Sequence, residues 1–163
     1  MKMLFVIVLC AAAFAACIGA NPAAPQARYF DPRPARSAHD RAPLVRVVAG
    51  PFLRQEFVVR TPPHEVAVDD SLRWIAPPEQ VVAAALGSVA GLPPGIEVEV
   101  VRFEFERASP LRAVVELSCS LGASTKPVIG LAEVAGESPE ALAAAMAAAV
   151  ADAARGVAQL GKP

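Results

Sequence analysis

Sixteen prolines divide this chain of 163 residues, and beyond residue 43 their positions leave room for few helices. Proline has no backbone N–H and its ring clashes with the preceding turn, so a helix tolerates it only in its first turn. Pro62-Pro63 therefore excludes an interior helix, and Leu92-Pro93-Pro94-Gly95 reads as a loop. Two prolines sit where a helix can start instead. Pro77-Pro78 precedes Val81, Val82, Ala85, Leu86 and Val89 at helical spacing, and Gly91 follows as a stop. Ser138-Pro139-Glu140 opens the second window: a serine cap, a proline at the first position and an acid facing the helix dipole. Leu142, Met146, Ala149, Val150, Ala153, Val157 and Leu160 then form one stripe, and the surrounding alanines permit close packing on a sheet.

The remaining segments alternate like strands. Leu44–Ala49, Glu56–Arg60, Glu65–Val68, Ile96–Arg107, Leu111–Leu121 and Pro127–Val134 are the candidates, with Asp69-Asp70-Ser71 and Gly122–Thr125 as turns. In the longest, Val101, Phe103 and Phe105 share one face while Ile96, Val98 and Val100 have the opposite parity. A bulge near Val100-Val101, or a strand end buried on both sides, reconciles the two sets. Strands followed by a helix, three strands and a helix predict an α+β two-layer sandwich. Its sheet is curved and mostly antiparallel, with both helices packed on one face.

The N-terminus reads differently. Met-Lys-Met leads into an apolar run from Leu4 to Ala16, too short for the roughly 20 residues of a membrane-spanning helix. A charged start, an apolar centre and small residues before a break mark an export signal. Phe14-Ala15-Ala16-Cys17 resembles a bacterial lipobox, with Phe14 where leucine is usual. That resemblance implies cleavage before Cys17 and a covalent lipid on it; cleavage of a plain signal near Ala20 is the alternative. Residues 17–43 hold Pro22, Pro25, Pro32, Pro34 and Pro43 and read as an extended tether. Within it, Arg28-Tyr29-Phe30-Asp31-Pro32 is an island expected to dock as an edge strand before Pro32. The organisation is a signal over 1–16, a proline-rich tether over 17–43 and one domain over 44–163.

Charge is uneven. Seven arginines face three acids between Arg28 and Arg60, while thirteen acids face seven bases from Thr61 onward. The arginines are expected to decorate a solvated linker, with contact to anionic head groups as the alternative. They form no dense basic stripe, so no nucleic-acid partner is expected. Once Cys10 leaves with the signal and Cys17 carries lipid, Cys119 has no partner for a disulfide. Its alternation with Ser118 and Ser120 places it inward with Val115, Leu117 and Leu121.

Catalytic motifs are missing. Gly87-Ser88-Val89-Ala90-Gly91 misplaces its serine for a nucleophile elbow. His64 with Asp69 and Asp70 matches no standard metal spacing. Glu97, Glu99, Glu104 and Glu106 alternate along one strand and read as its solvated positions. Neither an enzyme nor a cofactor is expected. Arg73-Trp74, the chain's one tryptophan, stands out at a helix entry. Two readings apply: a core aromatic with Arg73 paired to Asp69 or Asp70, or an anchor in a partner or oligomer interface.

The order of these features resembles the ABC-type transport auxiliary lipoprotein family, the lipoprotein component of paraquat-inducible and mammalian-cell-entry systems for intermembrane lipid transport. The resemblance rests on Cys17, on Tyr29-Phe30-Asp31-Pro32, on Val59-Arg60 leading through His64-Glu65-Val66 to Arg73-Trp74-Ile75-Ala76-Pro77-Pro78, on Val98–Glu104, on Ala113–Leu117 and on the alanine-rich final helix. Gly50–Glu56 is shorter than the loop usual there. The family implies a scaffold role beside a mammalian-cell-entry-domain protein, an ABC permease and ATPase, and membrane phospholipid, with a homo-oligomer possible. Ile18 rather than aspartate after Cys17 points to the periplasmic face of the outer membrane. A lipoprotein assisting assembly or export of envelope components is the alternative function.

Overall fold

The computed structural model describes residues 26–33, 45–63 and 65–161. Cys17, most of the tether and His64 lie outside them. The expected lipid anchor and the considered His64 site therefore fall on residues not described.

Among the described residues, seven strands and two helices follow in the order β1 (Arg28–Phe30), β2 (Arg46–Ala49), β3 (Glu56–Thr61), β4 (Glu65–Trp74), α1 (Pro78–Leu86), β5 (Glu97–Glu106), β6 (Arg112–Leu121), β7 (Ser124–Glu133) and α2 (Pro139–Gln159). They build the expected α+β architecture. One mixed sheet runs β1-β4-β3-β5-β6-β7, with β2 also paired to β5. The long ladders β3–β4, β5–β6 and β6–β7 are antiparallel. The parallel ones are short: β1 on β4, and both β2 and β3 on β5. Both helices lie on one face and share one core with it.

The prolines act as read. Pro78 and Pro139 start their helices, and Ser138 Oγ accepts the Ala141 N–H at 3.1 Å. Helix α1 ends earlier than the spacing suggests, at Leu86 rather than near Gly91. The Ser88 hydroxyl bonds the Ala85 carbonyl at 2.7 Å, and the next two amides bond back three residues instead of four. The turn tightens and α-helical winding stops.

Two strands depart from their simple pattern. Asp69-Asp70-Ser71 is not a turn but part of β4. The β3–β4 register jumps from Phe57↔Asp69 to Glu56↔Arg73, so β4 carries extra residues there. Asp69 Oδ1 accepts from both the Ser71 N–H at 2.9 Å and its hydroxyl at 2.6 Å. That local loop of hydrogen bonds gives the tripeptide a turn-like sequence inside a bulged strand. In β5 the bulge is Val101, skipped between Val100↔Leu117 and Arg102↔Glu116. The extra residue resets the parity, so Val98, Val100, Phe103 and Phe105 all face the core while Val101 is exposed.

The β6–β7 hairpin closes through Gly122, at φ +61°, and Ala123. β7 accordingly begins at Ser124, and Pro127 lies within it rather than at its start. Cys119 is buried with Val115 and Leu117 as expected, but Leu121 at the strand end is exposed.

Helix α2 is long and apolar enough to cross a membrane. Here Met146, Ala149, Val150, Ala153 and Val157 are buried against β6 and β7 instead. Gly130 of β7 faces the helix backbone: a Cβ there would meet the Ala149 carbonyl oxygen and come within 2.8 Å of Ala153 Cβ. Alanine in the helix and glycine in the strand are what let the two backbones approach.

Candidate functional site: the helix-free sheet face

Both helices lie on one face of the sheet, and among the described residues no helix covers the other. Of the ten large hydrophobic residues exposed among the described residues, only Ile75 and Leu121 lie away from that second face. Tyr29, Val48, Val66, Val68, Val101, Ile129 and Leu131 project from it, and Phe52, 91% exposed, overhangs it from the β2–β3 connection.

Across its centre runs an arginine–carboxylate network. Arg60 of β3 grips Glu104 of β5 with two bonds, Nε to Oε1 at 2.7 Å and Nη2 to Oε2 at 3.0 Å. Arg102 donates its Nε to the same Glu104 Oε1 at 2.8 Å. Arg102 also approaches Glu106 at 3.4 Å and Glu116 at 3.8 Å, and Arg112 bonds Glu106 at 3.0 Å. Glu104 is only 5% exposed, so its reading as a solvated position is corrected. Alternation placed Glu104 opposite Phe103 and Phe105 but could not show that Arg60, 44 residues earlier, would lie beside it. The matching signal was an arginine at the outward position of another strand.

Burial alone would raise the Glu104 pKa. The hydrogen bonds and charges of Arg60 and Arg102 outweigh it and hold the carboxyl below its ordinary value. Glu106 is also lowered, chiefly by its bond to Arg112. A carboxyl depressed in the folded state contributes stability that is full above its unfolded pKa and is lost as pH falls through its folded pKa. Glu104→Gln is expected to cost about 2 kcal/mol at neutral pH, because two partly buried guanidinium groups lose their anion. It should also flatten the acid side of the stability profile. Denaturant melts between about pH 6 and pH 3 check this, and parallel curves for wild type and variant would contradict the depressed carboxyl.

The β7 edge of the sheet is blunted at two positions. The Leu131 N–H points away from β6 and donates to Asp152 Oδ2 of α2 at 3.4 Å. Pro127 shares that parity and has no N–H to offer. A proline and a capping carboxylate are both recognised ways of blunting an outer strand.

The sequence-derived candidates fall as follows. Trp74 is 1% exposed, stacked on Phe57 with centroids 3.9 Å apart and set edge-on to Phe103 at 5.6 Å. A partner cannot reach its ring in this fold, so the core reading describes it and its role as a direct interface anchor is corrected. Arg73 stays partly exposed on the face away from the helices. It pairs with Glu56 at 3.5 Å rather than with Asp69 or Asp70, because the bulge carries those residues past it. Burial pushes the Cys119 thiol up to about 11, which leaves it protonated and unreactive near neutral pH. Among the described residues no group of three His, Cys, Asp or Glu side chains is placed to hold a metal ion. What this face offers is a large, preformed surface for binding.

No family model and no curated protein matches the chain. Among solved structures the fold is similar to a protein of Xanthomonas campestris from the family designated DUF330. Sequence identity is 20%, 84% of this chain and 91% of that chain are covered, and the TM-score is 0.57. It is also similar to a structure described as an uncharacterized protein, at 13% identity with 83% and 98% covered and a TM-score of 0.58. At these identities the likeness is one of fold.

Proposed function

We propose that this chain is an accessory lipoprotein held by Cys17 at the periplasmic face of the outer membrane. It acts there as the binding and scaffold component of an ABC transporter and mammalian-cell-entry-protein system that moves phospholipid between membranes. The observation that carries a binding role is the sheet face away from the helices, which presents nearly all of the large hydrophobics exposed among the described residues around a row of ion pairs. Apolar patches of this kind mark interaction surfaces. The paired charges of the network need no counter-ion from a partner, so the face can dock over them without stranding a buried charge. The ordered motifs from Cys17 to Arg73-Trp74-Ile75-Ala76-Pro77-Pro78 support the lipid-transport assignment.

Affinity capture of the full-length chain from its own cells tests the proposal. Wild type is expected in the membrane fraction with acyl chains on Cys17, and it should bring down the ABC permease and the mammalian-cell-entry-domain protein. Cys17→Ala should release the chain from the membrane, since loss of acyl chains removes roughly 0.8 kcal/mol per buried methylene. A wild type that stays soluble without detergent removes the anchor from the argument. Capture of an envelope-assembly complex instead would replace the transport role with the alternative one.

A further inference from the structure

A cleft of about 400 Å³ opens on the helix-free face where β2 and β3 part. Its origin is topological. Both strands run parallel to β5 along the same edge, β2 against Glu97–Val100 and β3 against Phe105–Glu106. Between them the chain leaves the sheet through Pro51-Phe52-Leu53-Arg54, and β5 bulges at Val101. The gap is lined by Val58, Val66, Val68 and Val101, with Phe52 at its rim.

Its charge is one-sided. Arg54, Arg60 and Arg102 line it against the single carboxylate of Glu104. Arg60 and Arg102 share that carboxylate, and Arg102 also reaches Glu106 and Glu116, so neither is left without a counter-charge. The exposed Arg54 takes no part in the ion pairs found among the described residues. An apolar trough beside the Arg54 guanidinium is complementary to a molecule with an apolar tail and an anionic head.

We propose that this cleft binds an anionic amphiphile. Its acyl chain lies over Val58, Val66, Val68 and Val101 under Phe52, and its head group sits against Arg54. Removing Phe52 and the valines from water supplies the driving force, and Arg54 selects the head. The proposal deepens the lipid-transport reading and rests on it for the origin of the ligand. A fatty acid and an anionic phospholipid share the required chemistry.

Displacement of a fluorescent fatty-acid probe from the full-length wild-type chain, below the micelle concentration of each competitor, tests it. Oleate and oleoyl-lysophosphatidylglycerol are the anionic arms, oleoyl-lysophosphatidylcholine the zwitterionic arm and inorganic phosphate the arm without a chain. Displacement by an anionic amphiphile at least about tenfold better than by the phosphatidylcholine analogue is expected, and none by phosphate. Preference between the two anionic arms identifies fatty acid or phospholipid as the source. Val68→Asp, on an exposed strand position, should weaken binding by about tenfold or more, and Arg54→Glu, in the exposed connection, should abolish the preference for anions. Absence of displacement by either anionic amphiphile, displacement by phosphate alone, or binding unchanged in both variants overturns the proposal. If the cleft fails while transporter capture persists, the function proposed above stands. If capture fails while the cleft binds, the lipid site remains and the transport assignment falls.

Discussion

Trp74→Ala is expected to be the most damaging single substitution in the domain, costing about 4 kcal/mol and lowering Tm by more than roughly 10 °C. Trp74 is the largest fully buried side chain. It stacks on Phe57, meets Phe103 edge-on and lies 6.1 Å from Phe105, and Phe57 in turn contacts Phe30 of β1. The ring therefore joins β3, β4 and β5 directly and β1 through Phe57, and alanine would leave a cavity that these strands cannot all close upon. Set against a usual total of about 5–15 kcal/mol, such a loss leaves a large fraction of the domain's stability missing. Trp74→Phe is expected to cost much less, about 1–2 kcal/mol. Its Nε1 has no hydrogen-bond partner among the described residues, so phenylalanine removes an unsatisfied buried donor along with part of the volume. Thermal and denaturant melts of the two variants measure the difference. A Trp74→Ala protein that melts like wild type would contradict the buried aromatic cluster.

Gly130→Ala is the second. Glycine inside a strand is ordinarily a weakness of about 0.5–1 kcal/mol, and replacing it by alanine should stabilise an open strand. Here the sign reverses. The new methyl would overlap the Ala149 carbonyl oxygen and crowd the Ala153 nitrogen and Cβ, and the first two are helix backbone. A rotamer change cannot relieve that contact, so α2 must lift from β7, and we expect a loss of about 3 kcal/mol. Because Ala153 Cβ accounts for part of the crowding, Gly130→Ala with Ala153→Gly should recover some of the loss but not all. Denaturant midpoints of the single and double variants check both statements. A stabilised single variant would mean that helix and sheet are further apart than described.

How much of this was legible in the chain differs from element to element. The helix starts at Pro78 and Pro139 were readable because proline acts through its own ring and its missing donor. The Ser138 cap was readable because it reaches only to Ala141. The bulge at Val101 was foreshadowed by two hydrophobic sets of opposite parity on one strand. Asp69-Asp70-Ser71 misled because its hydrogen bonds are those of a turn even where β4 continues. Helix α1 ends short of its apolar spacing because Val89 keeps the helical period while the tightened turn at Ser88 carries no periodicity.

For the site, the limit was cross-strand. Alternation along β5 says that Glu104 and Phe105 face opposite sides of the sheet. It does not say which side is covered, or what lies on the neighbouring strand. An acid among alternating charges reads as solvated until Arg60 is set beside it by the β3–β5 pairing. Trp74 posed the same difficulty: a lone tryptophan at a helix entry suits a core or an interface equally well until Phe57 and Phe103 are seen to enclose it.

The sequence by itself therefore determined the local elements, their class and most of their core positions, because breakers, caps and periodicity act over a few residues. Only the tertiary structure decided that β2 and β3 share one edge of β5, that Glu104 is a buried ion-pair centre and that a cleft opens at Val101. Each depends on contacts between segments tens of residues apart, and the free energy of those contacts belongs to the pairing rather than to either segment alone.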